Sequence, residues 1–196
     1  MERSSILVRR AAAASLVAFA LWPTTASGEA NLPAKGTVEV KAYSVAGSSV
    51  PKIVARSVVN VPAKKIWQIV SDCARYKGRM PRVAAAAELK VEGNVHTCKV
   101  TISMPFPFSD LTAVTEAVHD EQATSMSRKW KLVSGDYKLN QGSWELKTLD
   151  GGSTLVTYSV HAEPNTTVPD FIRESAQKKA IPEMIERVAA EASKLP

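Results

Sequence analysis

Residues 52–70 read KIVARSVVNVPAKKIWQIV, and in this stretch a strand pattern gives way to a helix pattern at Pro62. Residues 52–61 alternate between two faces, which predicts a strand. Pro62 suits the first turn of the helix that follows, because its missing N–H group has no helical partner there. The helix then presents a broad apolar face, formed by Ile66, Trp67, Ile69 and Val70.

A second short helix or turn is predicted from Ser71 to Met80, and it is closed by Pro81. Beyond it the chain is rich in strand patterns separated by turn residues. Six strands are predicted at roughly 83–91, 94–103, 110–120, 124–134, 136–148 and 153–163. Because the connections between them are short, the strands are expected to form an antiparallel meander.

The chain ends in an amphipathic pattern over residues 169–194, which predicts one helix about 39 Å long. Pro182 lies inside this helix and predicts a kink. The sequence therefore predicts an α+β fold: a curved antiparallel sheet of about seven strands around a long C-terminal helix, with two short helices after the first strand. A sheet that curls around a single helix leaves a gap where the two diverge, and this gap could hold an apolar molecule.

The first 30 residues have the pattern of a secretory signal peptide. Arg3, Arg9 and Arg10 precede an apolar stretch over residues 11–22, and small residues follow over residues 23–28. The alternative is a membrane anchor, but the apolar stretch is shorter than the ~20 residues that a span needs. We therefore expect an exported protein, periplasmic or secreted, with a linker or N-terminal extension over 31–51 that holds at most one short strand, and one domain over 52–196.

The two cysteines, Cys73 and Cys98, are an even number in a chain expected to be exported, which favours a disulfide over two buried thiols. Cys98 lies in phase with Val100 and Ile102 and should point inward, toward the helical segment that carries Cys73. The net charge of +6 includes no long basic run, and export argues against nucleic acid as a partner.

No catalytic or metal-binding constellation is recognisable in the sequence. His96, His119 and His161 are far apart, and no HExxH, paired CxxC or GxSxG pattern occurs. We therefore expect no metal, no cofactor and no catalytic residues.

Several segments resemble the START-like (SRPBCC) superfamily over about residues 52–192, in its polyketide cyclase and coenzyme Q-binding branch. The segments that carry the resemblance are 59–63 with Trp67, 76–83 with Met80-Pro81, 104–111, 142–146 and 180–182. The resemblance implies a helix-grip fold with a deep pocket between the sheet and the C-terminal helix, used for lipids, sterols, quinones or polyketides. It also places the Met80-Pro81 loop near the pocket entrance.

The candidate pocket residues are mostly large apolar side chains on the elements that would enclose the pocket. They are Trp67, Met80, Met104, Phe106, Phe108, Met126, Arg128, Trp130, Trp144, Tyr158, Phe171 and Met184. The alternative for each is ordinary core packing. Arg128 alternates in phase with Met126 and Trp130, so it is either a polar anchor inside the pocket or a charge on the outer face.

The leading hypothesis is a monomeric, non-enzymatic binding or transfer protein for a hydrophobic lipid-like molecule. The Met104–Phe108 loop, with two prolines and two phenylalanines, is predicted to form the pocket mouth or to contact a membrane transiently. One alternative is an enzyme of the polyketide cyclase or aromatase kind, which acts mainly through the shape of its pocket. Another is a protein-interaction module whose pocket is vestigial.

Overall fold

Eight antiparallel strands form one sheet in residues 32–196, the part of the chain that this computed structural model describes. The predicted signal peptide, residues 1–30, lies outside the described residues. The strands are β1 (Val38–Tyr43), β2 (Lys52–Val59), β3 (Val83–Glu92), β4 (Val95–Ile102), β5 (Leu111–Glu121), β6 (Ser125–Gly135), β7 (Tyr137–Thr148) and β8 (Thr154–Pro164). Across the sheet their order is β1-β2-β8-β7-β6-β5-β4-β3.

The predicted antiparallel sheet and its meander are confirmed, since each strand from β3 to β7 pairs with the next strand along the chain. The first predicted strand, β2, pairs with the last, β8. The structure adds β1, which lies in the stretch expected to be a linker or extension and pairs with β2 from Val38–Ser57 to Tyr43–Lys52. The folded unit therefore begins before residue 52.

Helices cover one face of the sheet at two places in the chain. After β2 come α1 (Ala63–Val70), a 3₁₀ turn (Cys73–Arg75) and the short α2 (Tyr76–Arg79). The C-terminal helix is divided into α3 (Asp170–Ser175), a π-helical turn (Ala176–Ala180) and α4 (Ile181–Ser193). The predicted irregularity at Pro182 thus takes the form of a π turn, because Pro182 has no N–H to donate to the carbonyl of Lys178 four residues earlier.

The core lies between the sheet and the two helices α1 and α4. Its most deeply buried apolar side chains are Ile66, Ile69 and Val70 on α1, Ile185 and Val188 on α4, and Leu146 and Val156 on the sheet. No helix within residues 32–196 combines the length and hydropathy needed to cross a membrane.

The expected disulfide joins Cys73 in the 3₁₀ turn to Cys98 on β4. Their Cα atoms are 6.4 Å apart, and both residues are fully buried. The bridge closes a loop of 25 residues and fixes the short helical segment to the strand beneath it.

Candidate functional site

An inner cavity of about 220 Å³ lies between the sheet and α4. Its walls come from β3 to β8, from the loop that contains Pro81, and from α4. Six of the candidate residues named from the sequence line it: Met80, Arg128, Trp130, Trp144, Tyr158 and Met184. Smaller apolar side chains, among them Val83, Val100 and Val160, complete the wall.

An outer cavity of about 410 Å³ lies beneath α3 and the π turn. Ile172, Ala176 and Ile181 cover it, and Met104 lines it from the loop after β4. It shares three lining residues with the inner cavity: Tyr137, Val160 and Ala162. The two cavities therefore adjoin and form two compartments of one site.

The remaining candidate residues lie elsewhere. Trp67 and Met126 are buried in the core, and neither lines one of these cavities. Phe108 is half-buried and Phe106 is 98% exposed, on the loop that carries Met104. Phe171 is 66% exposed and precedes the cavity residue Ile172. The two exposed phenylalanines thus flank segments that line the outer cavity.

Arg128 lies on the inward face of β6, with only 4% of its surface exposed. Its guanidinium carbon is 5.8 Å from the ring centre of Tyr76 and 5.6 Å from that of Trp130, so the cation contacts two aromatic rings. Within residues 32–196 it has no salt bridge, and its Nε is buried without a hydrogen-bond partner. The sequence left open whether Arg128 points into the pocket or lies on the outer face, and in the structure it points into the pocket.

Three tyrosines, Tyr76, Tyr137 and Tyr158, contribute to the lining of the inner cavity. Burial raises the pKa of Tyr76 and of Tyr158, and burial together with Asp136 raises the pKa of Tyr137 to about 12. The phenols therefore stay protonated at neutral pH and can donate hydrogen bonds. The Tyr76 hydroxyl already donates to the carbonyl of Val70, which holds its ring beside Arg128.

Trp130 is held in place by its neighbours on β7. Its Nε1 donates a 3.0 Å hydrogen bond to Oδ1 of Asn140. It pairs with Gly142, whose missing side chain leaves room for the indole: a Cβ there would lie 2.5 Å from Cζ2 of Trp130. Asn140 was not among the candidates, although its alternation with Gly142 and Trp144 placed it on the cavity face.

The histidines do not line either cavity. His119 stacks on His96 with ring centres 3.9 Å apart, and burial, His96 and Arg128 lower its pKa to about 3. His96 in turn contacts Glu88 at 2.7 Å. His161 lies on the opposite face of β8 from Tyr158 and Val160, where its Nε2 is 3.0 Å from the Ser48 hydroxyl and 3.1 Å from the Val50 carbonyl.

Cys73, Glu88 and Cys98 bring their potential metal-ligand atoms within 4.8 Å of one another. The two sulfurs are joined in the disulfide, so neither is a thiolate that could bind a metal ion.

Comparison with known protein families gives a match over most of the chain. The model of a family described as "Polyketide cyclase / dehydrase and lipid transport" matches residues 59–189. No curated protein matches the sequence.

Solved structures share the fold at low sequence identity. A STAR-related lipid transfer protein from Xanthomonas axonopodis superposes with a TM-score of 0.70 at 17% identity, covering 83% of this chain and 97% of that one. Human StAR-related lipid transfer protein 5 gives 0.69 at 10% identity, with 84% and 86% covered. The Zhui aromatase/cyclase from Streptomyces sp. R1128 gives 0.56 at 14% identity, with 73% and 93% covered.

Proposed function

Since the chain belongs to the polyketide cyclase / dehydrase and lipid transport family, we propose that it binds a hydrophobic, lipid-like small molecule and transfers it without chemical change. The observation that carries this proposal is the two-compartment site between the sheet and the C-terminal helices. The outer compartment, about 410 Å³, lies within the roughly 300–1,000 Å³ typical of ligand pockets. The solved lipid transfer proteins with the same fold give further support.

A binding role is also supported by the chemistry of the inner cavity. Its lining residues, all within residues 32–196, include no histidine, cysteine or carboxylate. The phenols of Tyr76 and Tyr158 have raised pKa values and are poor bases at neutral pH. Such a lining suits the orientation of a ligand better than proton transfer to and from it.

We further propose that the protein works outside the cytoplasm. The signal-peptide pattern at the N-terminus supports export, and the Cys73–Cys98 disulfide suits an oxidising compartment. At such a location the ligand would be exchanged at a membrane surface. The exposed Phe106 and Phe171, beside the outer cavity, are the side chains best placed to enter the lipid.

The experiment that tests the binding function is lipid extraction from the purified, exported protein, followed by mass spectrometry. We expect an apolar small molecule to be recovered from the natural chain. Ala162 lines both compartments, so Ala162→Phe should fill the passage between them and remove most of the recovered ligand.

The matched control is Ala87→Phe, which places the same side chain at an exposed position on β3 and should leave recovery unchanged. Absence of any ligand from the natural chain, together with no uptake of added lipid, would contradict the binding function.

A polyketide cyclase-like enzyme is the competing function, favoured by the shared fold with the aromatase/cyclase and by a guanidinium and phenols inside the cavity. The same extraction separates the two functions. A binding protein returns an added ligand unaltered after prolonged incubation, whereas a cyclase returns a dehydrated or cyclised product.

A further inference from the structure

The buried charge of Arg128 has no counter-charge in the described part of the chain. Its side chain is 4% exposed and lines the inner cavity, yet no carboxylate lies within ion-pair distance of it. The rings of Tyr76 and Trp130 contact the guanidinium but cannot accept its in-plane N–H groups. A buried guanidinium in this state is unfavourable unless something else supplies acceptor oxygens.

The acidic residues that act electrostatically on Tyr76, beside Arg128, are already engaged with other partners. Asp72 contacts Arg75 at 3.1 Å and Arg79 at 3.8 Å. Glu88 contacts His96 at 2.7 Å and is partly exposed. The cavity therefore keeps an unneutralised positive charge.

The polar side chains around Arg128 are neutral and can donate hydrogen bonds. The Tyr158 hydroxyl has no partner within residues 32–196, and burial keeps it protonated by raising its pKa. Asn140 accepts the Trp130 indole N–H through Oδ1, which leaves its NH₂ group to donate. No lining residue of the inner cavity carries a carboxylate. A cation surrounded by donors, in a cavity with no anion, is complementary to an anionic oxygen group.

We propose that Arg128 receives the anionic head group of an acidic amphiphile, a carboxylate or a phosphate monoester. The head group occupies the inner cavity, where the planar guanidinium can bind two oxygens at once. The apolar chain of the same molecule extends into the outer cavity, which adjoins the inner one at Tyr137, Val160 and Ala162. This inference rests on the proposed binding function and specifies its ligand class.

Three probes with the same number of carbon atoms test the head group by titration calorimetry, each below its micelle concentration or solubility limit: myristate, tetradecyl phosphate and tetradecanol. The natural chain should bind at least one acidic probe about tenfold or more tightly than the alcohol, because hydrogen bonds to charged groups are strong in a buried site. Whichever acidic probe binds more tightly identifies the source of the anion as a carboxylate or a phosphate.

Arg128→Met removes the charge and keeps much of the volume, so it should bind all three probes with similar affinity. Because a buried unpaired charge is lost, its melting temperature should be unchanged or raised. Arg128→Lys keeps the charge without the bidentate geometry and should retain part of the preference. Lys129→Met removes the same charge from the neighbouring exposed position and should retain all of it.

Equal binding of all three probes by the natural chain would overturn this inference while leaving the proposed function intact. So would a full preference in Arg128→Met. If no probe binds to the natural chain at all, the inference fails, and the lipid extraction decides the proposed binding function separately. Should Arg128→Met not fold, the probe series on the natural chain and on Arg128→Lys still decides the question.

Discussion

The protonation of His119 makes the stability of the fold depend on pH, and Arg128, on the wall of the inner cavity, contributes to the shift of its pKa. Its ring stacks on His96, and it pairs with Arg128 across β5 and β6. Burial, followed by the repulsion of His96 and Arg128, lowers its pKa to about 3, so the folded protein keeps the ring neutral. In the unfolded chain a histidine titrates near 6.5, and therefore the unfolded state takes up the proton first as the pH falls.

We therefore expect the free energy of unfolding to decrease as the pH is lowered from about 6.5 toward about 3, with His119 contributing at most about 1.4 kcal/mol per pH unit. His119→Phe keeps an aromatic ring on His96 and removes the titration, so its stability should fall less steeply. Urea unfolding at several pH values gives the free energy of unfolding of the natural chain and of His119→Phe. The contributions of all other titrating groups cancel in the difference between the two. Parallel pH profiles would contradict the assignment.

Gly142 is required by the close approach of β7 to Trp130. A Cβ at this position would overlap the carbonyl oxygen of Ser159 and lie 2.5 Å from the indole. Gly142→Ala should therefore destabilise the fold by about 1–3 kcal/mol and alter the tryptophan fluorescence.

Gly93 provides the comparison, since it has a positive φ of 61° but no atom within 4 Å of its Cβ position. Gly93→Ala should cost stability through the backbone alone and leave the fluorescence unchanged. Unaltered fluorescence in Gly142→Ala would mean that the indole is not held against this residue.

For individual side chains, the sequence predicted which residues share a face of a strand but not the direction in which that face points. Alternation correctly grouped Arg128 with Met126 and Trp130, but it could not say which face pointed inward. A cation usually marks the solvent side of a strand, so the pattern alone left both possibilities open. The orientation follows from the packing of α1 over this face and from Tyr76 of α2 beside Arg128, which are long-range properties.

Among the structural elements, the loop after β4 and the start of α3 form the rim of the outer cavity. Phe106 and Phe171 are exposed there, whereas Phe108 is half-buried. The prediction of membrane contact therefore belongs to Phe106 and Phe171, and Phe108 is expected to contribute to packing.

Replacing Phe106 and Phe171 together by Ser should lower binding to phosphatidylcholine vesicles by about tenfold or more, because the transfer of two phenyl groups into lipid is lost. The melting temperature should hardly change, since both side chains are exposed. Leu89→Ser is the control: Leu89 is 54% exposed, on β3 near the opposite end of the β3–β4 hairpin. If co-sedimentation with the vesicles is reduced equally in Leu89→Ser, membrane contact is not specific to the rim of the outer cavity.

Elements were predictable where their residues alternate strongly and where glycine or proline marks the connections, as it does between β3 and β8 everywhere except at the β5–β6 turn. β1 was harder to predict because it is an edge strand in a stretch with scattered Gly, Ser and Pro, and four of its six residues are exposed. Pro182 correctly indicated an irregular C-terminal helix. A proline is compatible with either a kink or a π turn, and the local sequence does not specify which one forms.

At the scale of the whole molecule, the disulfide adds stability to a fold whose core also leaves room for a cavity. Closing a loop of 25 residues limits the unfolded chain and should contribute about 3–4 kcal/mol. We expect a reductant to lower the free energy of urea unfolding by about this amount, since no other cysteine occurs in the chain. The double variant Cys73→Ala, Cys98→Ala should show no response to the reductant. Identical unfolding midpoints with and without reductant in the natural chain would show that the bridge does not form.

The pairing of β2 with β8 has a consequence for how the chain reaches its native state. Ile53 and Val160 are partners although more than a hundred residues separate them, so the middle of the sheet is completed only when almost the entire chain is present. Bringing such distant strands together has a large entropic cost before any contact is gained. Spontaneous refolding should therefore take milliseconds to seconds. Until β8 arrives, the edge of β2 that pairs with β8 stays open on a nascent chain, and this interval is when the protein is most exposed to aggregation.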